Sequence, residues 1–170
     1  AGEVFCDTSL NMTNSHTAAF LLTHGARGIS FSLESSLQDC IAIKRCFQER
    51  YAVDAPFFYT VYGRAELMLS EYCPINSVIC NYTDRNCGLC RQGADYALLD
   101  VKQHRYPILC DEACRTHILH YEVRSHIDSI PEAKQHGIQH FLCTFTTEGA
   151  ADCHRIITAC KAQLQMKQVV

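Results

Sequence analysis

The chain has 170 residues, of which 48% are apolar and 19% are charged, and its formal net charge is −3. This composition is typical of a globular protein and excludes an intrinsically disordered chain. The slightly acidic balance provides no broad cationic field, so it argues against binding to nucleic acid or anionic membranes through net charge alone. By length, residues 1–170 are predicted to form a single domain.

The first third of the chain alternates between strand-like and helical patterns. EVFCDTSLNM, ARGISFSLE and PFFYTVYGR are rich in β-branched and aromatic residues and predict three strands. Between them, NSHTAAFLLTHG predicts a helix that Asn14 or Ser15 would cap and Gly25 would end. SSLQDCIAIKRCFQERY predicts a second helix, capped by Ser35 or Ser36. This alternation predicts parallel βαβ units.

Residues 64–114 interrupt the alternation and are predicted to be a cysteine-rich insertion. Within the insertion, ADYALLDVKQHRYPIL predicts two short strands with a turn near Lys102 to His104. Beyond it, HILHYEVRSHID predicts a strand near 117–124, and IQHFLCTFT predicts another. SIPEAKQHG predicts a helix with Ser129 at its cap, and EGAADCHRIITACKAQLQ predicts the last helix.

Together these patterns predict an α/β fold of four to five βα units. A closed eight-stranded (β/α) barrel takes about 250 residues, so this chain would form a partial barrel of the TIM type. Exposed edges of a parallel sheet are unfavourable. We therefore expect the remainder of a barrel, or a second copy of the chain in a homodimer, to cover those edges, unless the sheet is open.

The chain contains twelve cysteines, and half of them lie in one region. No secretory signal is recognisable and no apolar run is long enough to cross a membrane, which favours a reducing, cytoplasmic location. In that setting, clustered cysteines indicate a metal site rather than disulfides. The clustered cysteines are Cys73, Cys80, Cys87, Cys90, Cys110 and Cys114.

The compact half of this cluster is the C-x2-C pair of Cys87 and Cys90. Gly88 between them lets the backbone turn so that both sulfur atoms face one point. A zinc ribbon would offer a second C-x2-C pair, and the nearest substitute here is Cys110 with Cys114. Thiolates bind Zn²⁺ and also hold the irons of iron–sulfur clusters, so spacing alone leaves both metals open.

Three segments of the chain have a distinctive pattern: LNMTNSHTAAFLLTHGARGISFSLESS, VYGRAELMLSEYCPI and DYALLDVKQHRYPILCDEACRTHIL. They resemble the peptidase U32 family, also called the collagenase-like proteases. The first resembles the strand–helix–strand run of the family, and the second resembles its short signature. The third resembles the segment that follows the signature. The resemblance extends from Asp7 to Phe145 and corresponds to the C-terminal half of the family.

The resemblance implies a (β/α) barrel and a [4Fe–4S] cluster held by four cysteines. Position by position, it implies Cys73 as the signature ligand, Cys87 and Cys90 as the paired ligands, and Cys114 as the last ligand. The other two clustered cysteines fall outside this implied set. The resemblance also implies a role in hydroxylating tRNA, ribosomal RNA or ubiquinone precursors, as in some members, or in cleaving peptides, as the family name states.

Two pairs of side chains suggest other chemistry. His117 or His120, beside the clustered cysteines, could provide a nitrogen ligand to zinc, although strand-end histidines commonly bond to the backbone instead. Cys143 and His140 could be drawn as a nucleophile and its base. Residues three apart on a strand face opposite sides, however, which favours buried packing. The sequence contains neither G-x-S-x-G nor H-E-x-x-H.

Further polar residues are predicted to lie near the mouth of the partial barrel. Asn11, Asn14 and Glu34 follow the first two strands, where barrels place functional groups, although a helix N-terminus equally explains Asn14 and Glu34. Arginines in such a position bind carboxylates or phosphates, but neighbouring acids favour ion pairing on the surface. The arginines in question are Arg64, Arg85, Arg91 and Arg115.

Three functional hypotheses follow from these residues and the resemblance. The first is a U32 family protein that binds an iron–sulfur cluster and acts in hydroxylation or modification of RNA or a small aromatic substrate. The second is a peptidase of the collagenase-like type. The third is a zinc-stapled, non-catalytic module that binds a substrate such as a peptide or RNA.

Overall fold

The computed structural model describes residues 2–80, 87–92 and 95–166. The chain divides into two compact units, the first formed by Ala1–Gly63 with Ser125–Val170 and the second by Arg64–Arg124. The first unit combines a mainly parallel sheet with helices, and the second contains an antiparallel sheet. The predicted mixed α/β class, with parallel strands and helices, is therefore confirmed.

Most helices and strands lie where the sequence patterns predict them. The elements are, in chain order, β1 (Val4–Cys6), α1 (Ser15–Thr23), β2 (Ala26–Ser30), α2 (Leu37–Tyr51), β3 (Phe57–Gly63), β4 (Glu66–Ser70), β5 (Ala97–Leu99), β6 (Arg105–Cys110), β7 (Thr116–Leu119), β8 (Arg124–Ser125), α3 (Ile130–Gln135), β9 (His140–Cys143) and α4 (Ala150–Gln165).

The two N-terminal helices begin at residues that the sequence identifies as caps. The Asn14 side chain accepts a hydrogen bond of 2.8 Å from the backbone N–H of Thr17 at the start of α1. At the start of α2, Ser36 and Asp39 form a reciprocal capping box. These bonds satisfy backbone N–H groups that have no partner within the helix, so both predicted starts are confirmed.

The sheet of the first unit is built on β3, which pairs in parallel with both β2 and β9. β1 extends the sheet beyond β2, and the short β8 adjoins β3. Alternate residues of β3 are buried, as expected for a strand whose faces differ. The Phe57 ring stacks on Phe31 at 5.3 Å between ring centroids and meets the edge of Phe47 at 5.2 Å. The described strands form an open sheet and no closed barrel.

The second unit has a four-stranded antiparallel sheet in the order β4-β7-β6-β5. The predicted hairpin is confirmed, since β5 pairs with β6 across a turn that Asp100 organises by accepting hydrogen bonds from the backbone of Lys102 and His104. The strand predicted near 117–124 is shorter and belongs to this sheet as β7. The sequence patterns did not predict β4, which pairs with β7.

One local expectation was wrong. The first strand was predicted to continue to Met12, but β1 ends at Cys6 because Asp7 caps a short 3₁₀ helix, accepting a hydrogen bond of 2.9 Å from the Ser9 N–H. At the start of α3, Ser129 occupies the predicted cap position, although its side chain makes no capping hydrogen bond. The single domain over 1–170 and the insertion over 64–114 stay predictions.

Candidate functional site

Cys73 follows β4 and is held by its own backbone turn. Its sulfur accepts a hydrogen bond of 3.4 Å from the Asn76 N–H, and its carbonyl oxygen accepts one of 3.0 Å from the Ser77 N–H. A π-helical turn then covers Asn76–Cys80. These bonds fix the direction of the Cys73 side chain, so the first predicted ligand is positioned by local backbone structure.

The paired cysteines flank a left-handed glycine. Gly88 has φ of 62°, which confirms that the backbone turns sharply between Cys87 and Cys90. A short 3₁₀ helix over Leu89–Arg91 follows, and the Arg91 N–H donates to the Gly88 carbonyl at 3.0 Å. Gly88 therefore provides the backbone turn that the sequence predicts between the paired cysteines.

Cys110, at the end of β6, lies within hydrogen-bonding distance of the Cys90 thiol. It shares a hydrogen bond with Cys90, and burial raises the pKa of Cys110 to about 12. The neighbouring Cys90 and Cys73 thiols raise this pKa further, because a second negative charge close by is unfavourable. One predicted ligand, Cys90, is thus bonded to Cys110, a cysteine that lies outside the set implied by the resemblance, and a second predicted ligand, Cys73, influences the charge of Cys110.

Cys114 lies in the turn between β6 and β7 and is exposed. Its φ of 60° is left-handed, which costs a non-glycine residue about 1–2 kcal/mol. Asp111 maintains this turn, since its carboxylate accepts hydrogen bonds of 2.9 Å from the N–H groups of Ala113 and Arg115. The fourth predicted ligand, Cys114, therefore lies on a strained turn whose conformation is fixed by hydrogen bonds to the Asp111 carboxylate.

The predicted ligand set remains a prediction. The cysteines whose side chains are described are free thiols. Within residues 2–80, 87–92 and 95–166, no group of three or more His, Cys, Asp or Glu side chains has an arrangement ready to hold a metal ion. The Cys80 side chain and Arg85 lie outside the part of the chain that the structure describes.

Three charged or ionisable side chains of the second unit form a connected series that includes the turn bearing Cys114. His117 Nδ1 lies 2.7 Å from Glu66 Oε2, and its Nε2 lies 3.6 Å from Asp111 Oδ2. The bond to Glu66 raises the pKa of His117, and burial opposes it. The Arg115 backbone N–H is the largest cause that lowers the pKa of Asp111, to about 2. Both nitrogens of His117 face carboxylates, which disfavours its predicted role as a zinc ligand.

Three of the four candidate arginines bond to protein groups. Arg64 donates through Nη1 to the carbonyl oxygens of His120 and Tyr121. Arg115 pairs with Asp111 at 2.7 Å, as ion pairing predicts. Arg91 donates to a backbone carbonyl. These contacts assign the three guanidinium groups structural roles in their turns and strands.

A separate polar group lies at the carboxyl edge of the sheet in the first unit. Asn11, left-handed with φ of 48°, accepts a hydrogen bond from the buried Ser32 hydroxyl. Glu148 accepts from Tyr62 at 3.1 Å and from the Thr146 N–H at 2.7 Å. Burial raises the pKa of Glu148, but these bonds outweigh it and the pKa lies below its usual value. Sequence reasoning missed Glu148 because only the pairing of β3 with β9 brings it to Tyr62.

Cys143 and His140 do not form a nucleophile–base pair. Cys143 Sγ lies 3.6 Å from Cys160 Sγ, and the His140 ring packs on Phe58 at 5.1 Å between centroids. Burial raises the pKa of Cys143 to about 12, whereas a nucleophilic cysteine needs a lowered pKa. The predicted packing role for Cys143 agrees with these contacts.

Comparison with known proteins identifies one family. The family model described as Peptidase family U32 matches residues 2–164, which is nearly the whole chain. No curated protein and no solved structure matches the chain significantly. In the described part of the chain, no helix has both the length and the apolar character needed to cross a membrane.

Proposed function

Because the chain belongs to peptidase family U32, we propose that Cys73, Cys87, Cys90 and Cys114 hold a [4Fe–4S] cluster. We further propose that the protein acts in hydroxylation or a related modification of RNA or a small aromatic substrate. Its fold would be the C-terminal half of a (β/α) barrel, which the remainder of a barrel or a second copy of the chain completes. The reducing conditions of the cytoplasm would keep the thiols available for metal.

The observation that supports this proposal is the hydrogen bond between the Cys110 and Cys90 thiols in the second unit, with Cys73 close enough to raise the pKa of Cys110. Soft thiolate donors suit iron–sulfur clusters and zinc, and four of them suffice for either. Cys114 is displayed on the adjoining turn. The donor chemistry therefore fits a soft metal centre, even though the described groups are not yet arranged around one point.

The protonation of these thiols links metal binding to pH. Buried and beside other sulfur atoms, the Cys110 thiol keeps its proton in the absence of a cation. Ligation requires thiolates, so metal binding releases protons and weakens as the pH falls. A bound iron–sulfur cluster would supply electron transfer, and the turns at Gly88 and Asp111 would position its ligands.

The test is metal analysis of the protein purified without oxygen. We expect a brown protein with broad visible absorbance, containing iron and acid-labile sulfide in equal amounts. Cys73→Ser, Cys87→Ser and Cys90→Ser should each lose most of the iron. Cys46→Ser, which changes a cysteine of α2 in the first unit, is the matched control and should keep it.

Cys110 and Cys114 compete for the position of the fourth ligand, and a pair of variants separates them. If the implied set is right, Cys114→Ser loses iron and Cys110→Ser keeps it. The opposite result would transfer the fourth position to Cys110, which already bonds to Cys90. Iron content that stays unchanged in both variants would refute a four-cysteine site that uses either of them.

Two other results would replace the proposal. A colourless protein with one equivalent of zinc would identify the zinc-stapled module. Cleavage of gelatin or casein that persists after metal removal would favour the peptidase, consistent with the description of the matched family. The protein would then need a nucleophile other than Cys143, whose raised pKa is unsuited to that role.

A further inference from the structure

The first unit contains a cavity of about 230 Å³ that none of the clustered cysteines lines. It opens at the amino ends of two neighbouring strands, since Phe57 begins β3 and His140 begins β9. Glu148 follows the carboxyl end of β9, and Asn11 follows the carboxyl end of β1 in the same sheet. The cavity therefore lies at the opposite edge of the sheet from that polar group.

One side of the cavity carries a buried ammonium group. The Lys44 side chain is only 6% exposed, although lysine is almost never fully buried without a partner. Its Nζ lies 3.4 Å from Asp54 Oδ1 and 5.6 Å from the centroid of the Phe57 ring. The Asp54 side chain is 85% exposed, so the partner carboxylate is mostly solvated.

The Lys44 ammonium has unused hydrogen-bonding capacity. An ammonium group has three N–H donors, and the described residues offer one acceptor, Asp54, at a long distance. A buried charge that is incompletely bonded is costly. A ligand that brought an oxygen anion into the cavity would satisfy the remaining donors.

The backbone makes room for this lysine. Gly137, just after α3, has φ of 81°, and a Cβ atom there would lie 3.1 Å from Lys44 Cε. The absence of a side chain lets the lysine stem reach the cavity between α2 and the strand ends. The placement of the ammonium thus depends on a glycine whose left-handed conformation suits no other residue as well.

We propose that this cavity binds a small organic carboxylate, with Lys44 as its charge partner. Ala55, Pro56 and Phe57 line the cavity and can pack against the hydrocarbon part of such a ligand. Gln48, Gln139 and His140 also line it and carry hydrogen-bonding groups. A single buried cation matches a single negative charge better than the two charges of a phosphate. The volume is below the usual range for ligand pockets, so the ligand is small.

The test titrates the whole protein with benzoate and, separately, with inorganic phosphate, following binding by NMR. We expect saturable benzoate binding that shifts resonances of residues lining the cavity. Lys44→Met keeps the apolar stem and removes the charge, so it should weaken benzoate binding at least tenfold. Asp54→Asn removes the competing carboxylate and should strengthen binding. Arg45→Met, an exposed cation on the same helix, is the control and should bind as the unmodified protein does.

Each alternative result overturns the proposal. No saturable binding of benzoate to the unmodified protein refutes the site, and equal binding by Lys44→Met refutes the role of the ammonium. Tighter binding of phosphate than of benzoate refutes the assignment to a carboxylate. If Lys44→Met does not fold, the Asp54→Asn variant tests the proposal instead. Unchanged or weaker benzoate binding in that variant would show that Asp54 and benzoate do not compete for the Lys44 ammonium.

Discussion

Within the described residues, the first unit buries sixteen apolar side chains in one core, whereas the second unit buries only four. The first unit closes this core between helices and a parallel sheet. The second relies on hairpin pairing and on turns ordered by Asp100 and Asp111. Small units with few buried apolar groups generally need a disulfide or a metal for stability. A metal held by the clustered cysteines, as proposed above, would therefore stabilise the second unit.

Truncating a core side chain of the first unit should have the largest effect on the free energy of unfolding. It is also the most direct test of this contrast. Phe57 is 2% exposed and packs against Phe31 and Phe47. Phe57→Ala should lower the free energy of unfolding by about 3–5 kcal/mol, measured by urea denaturation. Leu99→Ala in β5, where the side chain is 61% exposed, is the control and should change it by about 0.5 kcal/mol or less. Comparable losses in the two variants would contradict the contrast.

Two serines that precede helices of the first unit should give an effect of intermediate size on stability. Only one of them, Ser36, caps its helix through a side-chain hydrogen bond. The Ser36 hydroxyl takes part in the capping box of α2, whereas Ser129 makes no capping bond. Ser36→Ala should lower the free energy of unfolding by about 1 kcal/mol. Ser129→Ala should change it by less than about 0.5 kcal/mol. Thermal denaturation of both variants measures the difference, and equal losses would show that the capping bond contributes nothing.

Whether the sequence can predict a feature depends on whether the contacts of that feature are local or distant along the chain. The caps of α1 and α2 and the hairpin of β5 and β6 use residues close in sequence, and these predictions are confirmed. β4 was missed because its apolar residues are exposed and its partner β7 lies about fifty residues away. No local pattern reports such a pairing.

The candidate site follows the same rule. Spacing alone identified the turn at Gly88 between Cys87 and Cys90, which the structure confirms. Cys110 was left outside the ligand set because the family resemblance does not include it, yet its thiol shares a hydrogen bond with Cys90. Sequence can therefore predict the local turn, while which distant cysteines approach one another depends on strand pairing.

The smallest expected effect concerns His117, whose charge tests whether polar pairs stabilise the second unit. Hydrogen bonding to Glu66 raises the pKa of His117 above its usual 6.5. Since the folded pKa is the higher one, the stabilisation is complete below pH 6.5 and is lost as the pH rises through the raised pKa. Glu66 is nearly half exposed, so the pair contributes about 0.5 kcal/mol or less.

Replacing Glu66 by glutamine should move the pKa of His117 down towards 6.5, because glutamine keeps a similar shape but carries no charge. An NMR titration of the His117 ring protons measures this directly. Glu112→Gln, in the neighbouring turn, is the control and should leave the titration unchanged, since Glu112 contacts Arg91 only through its backbone carbonyl. A His117 pKa that is equal in the unmodified protein and in Glu66→Gln would assign the raised pKa to Asp111 instead, which faces the other ring nitrogen.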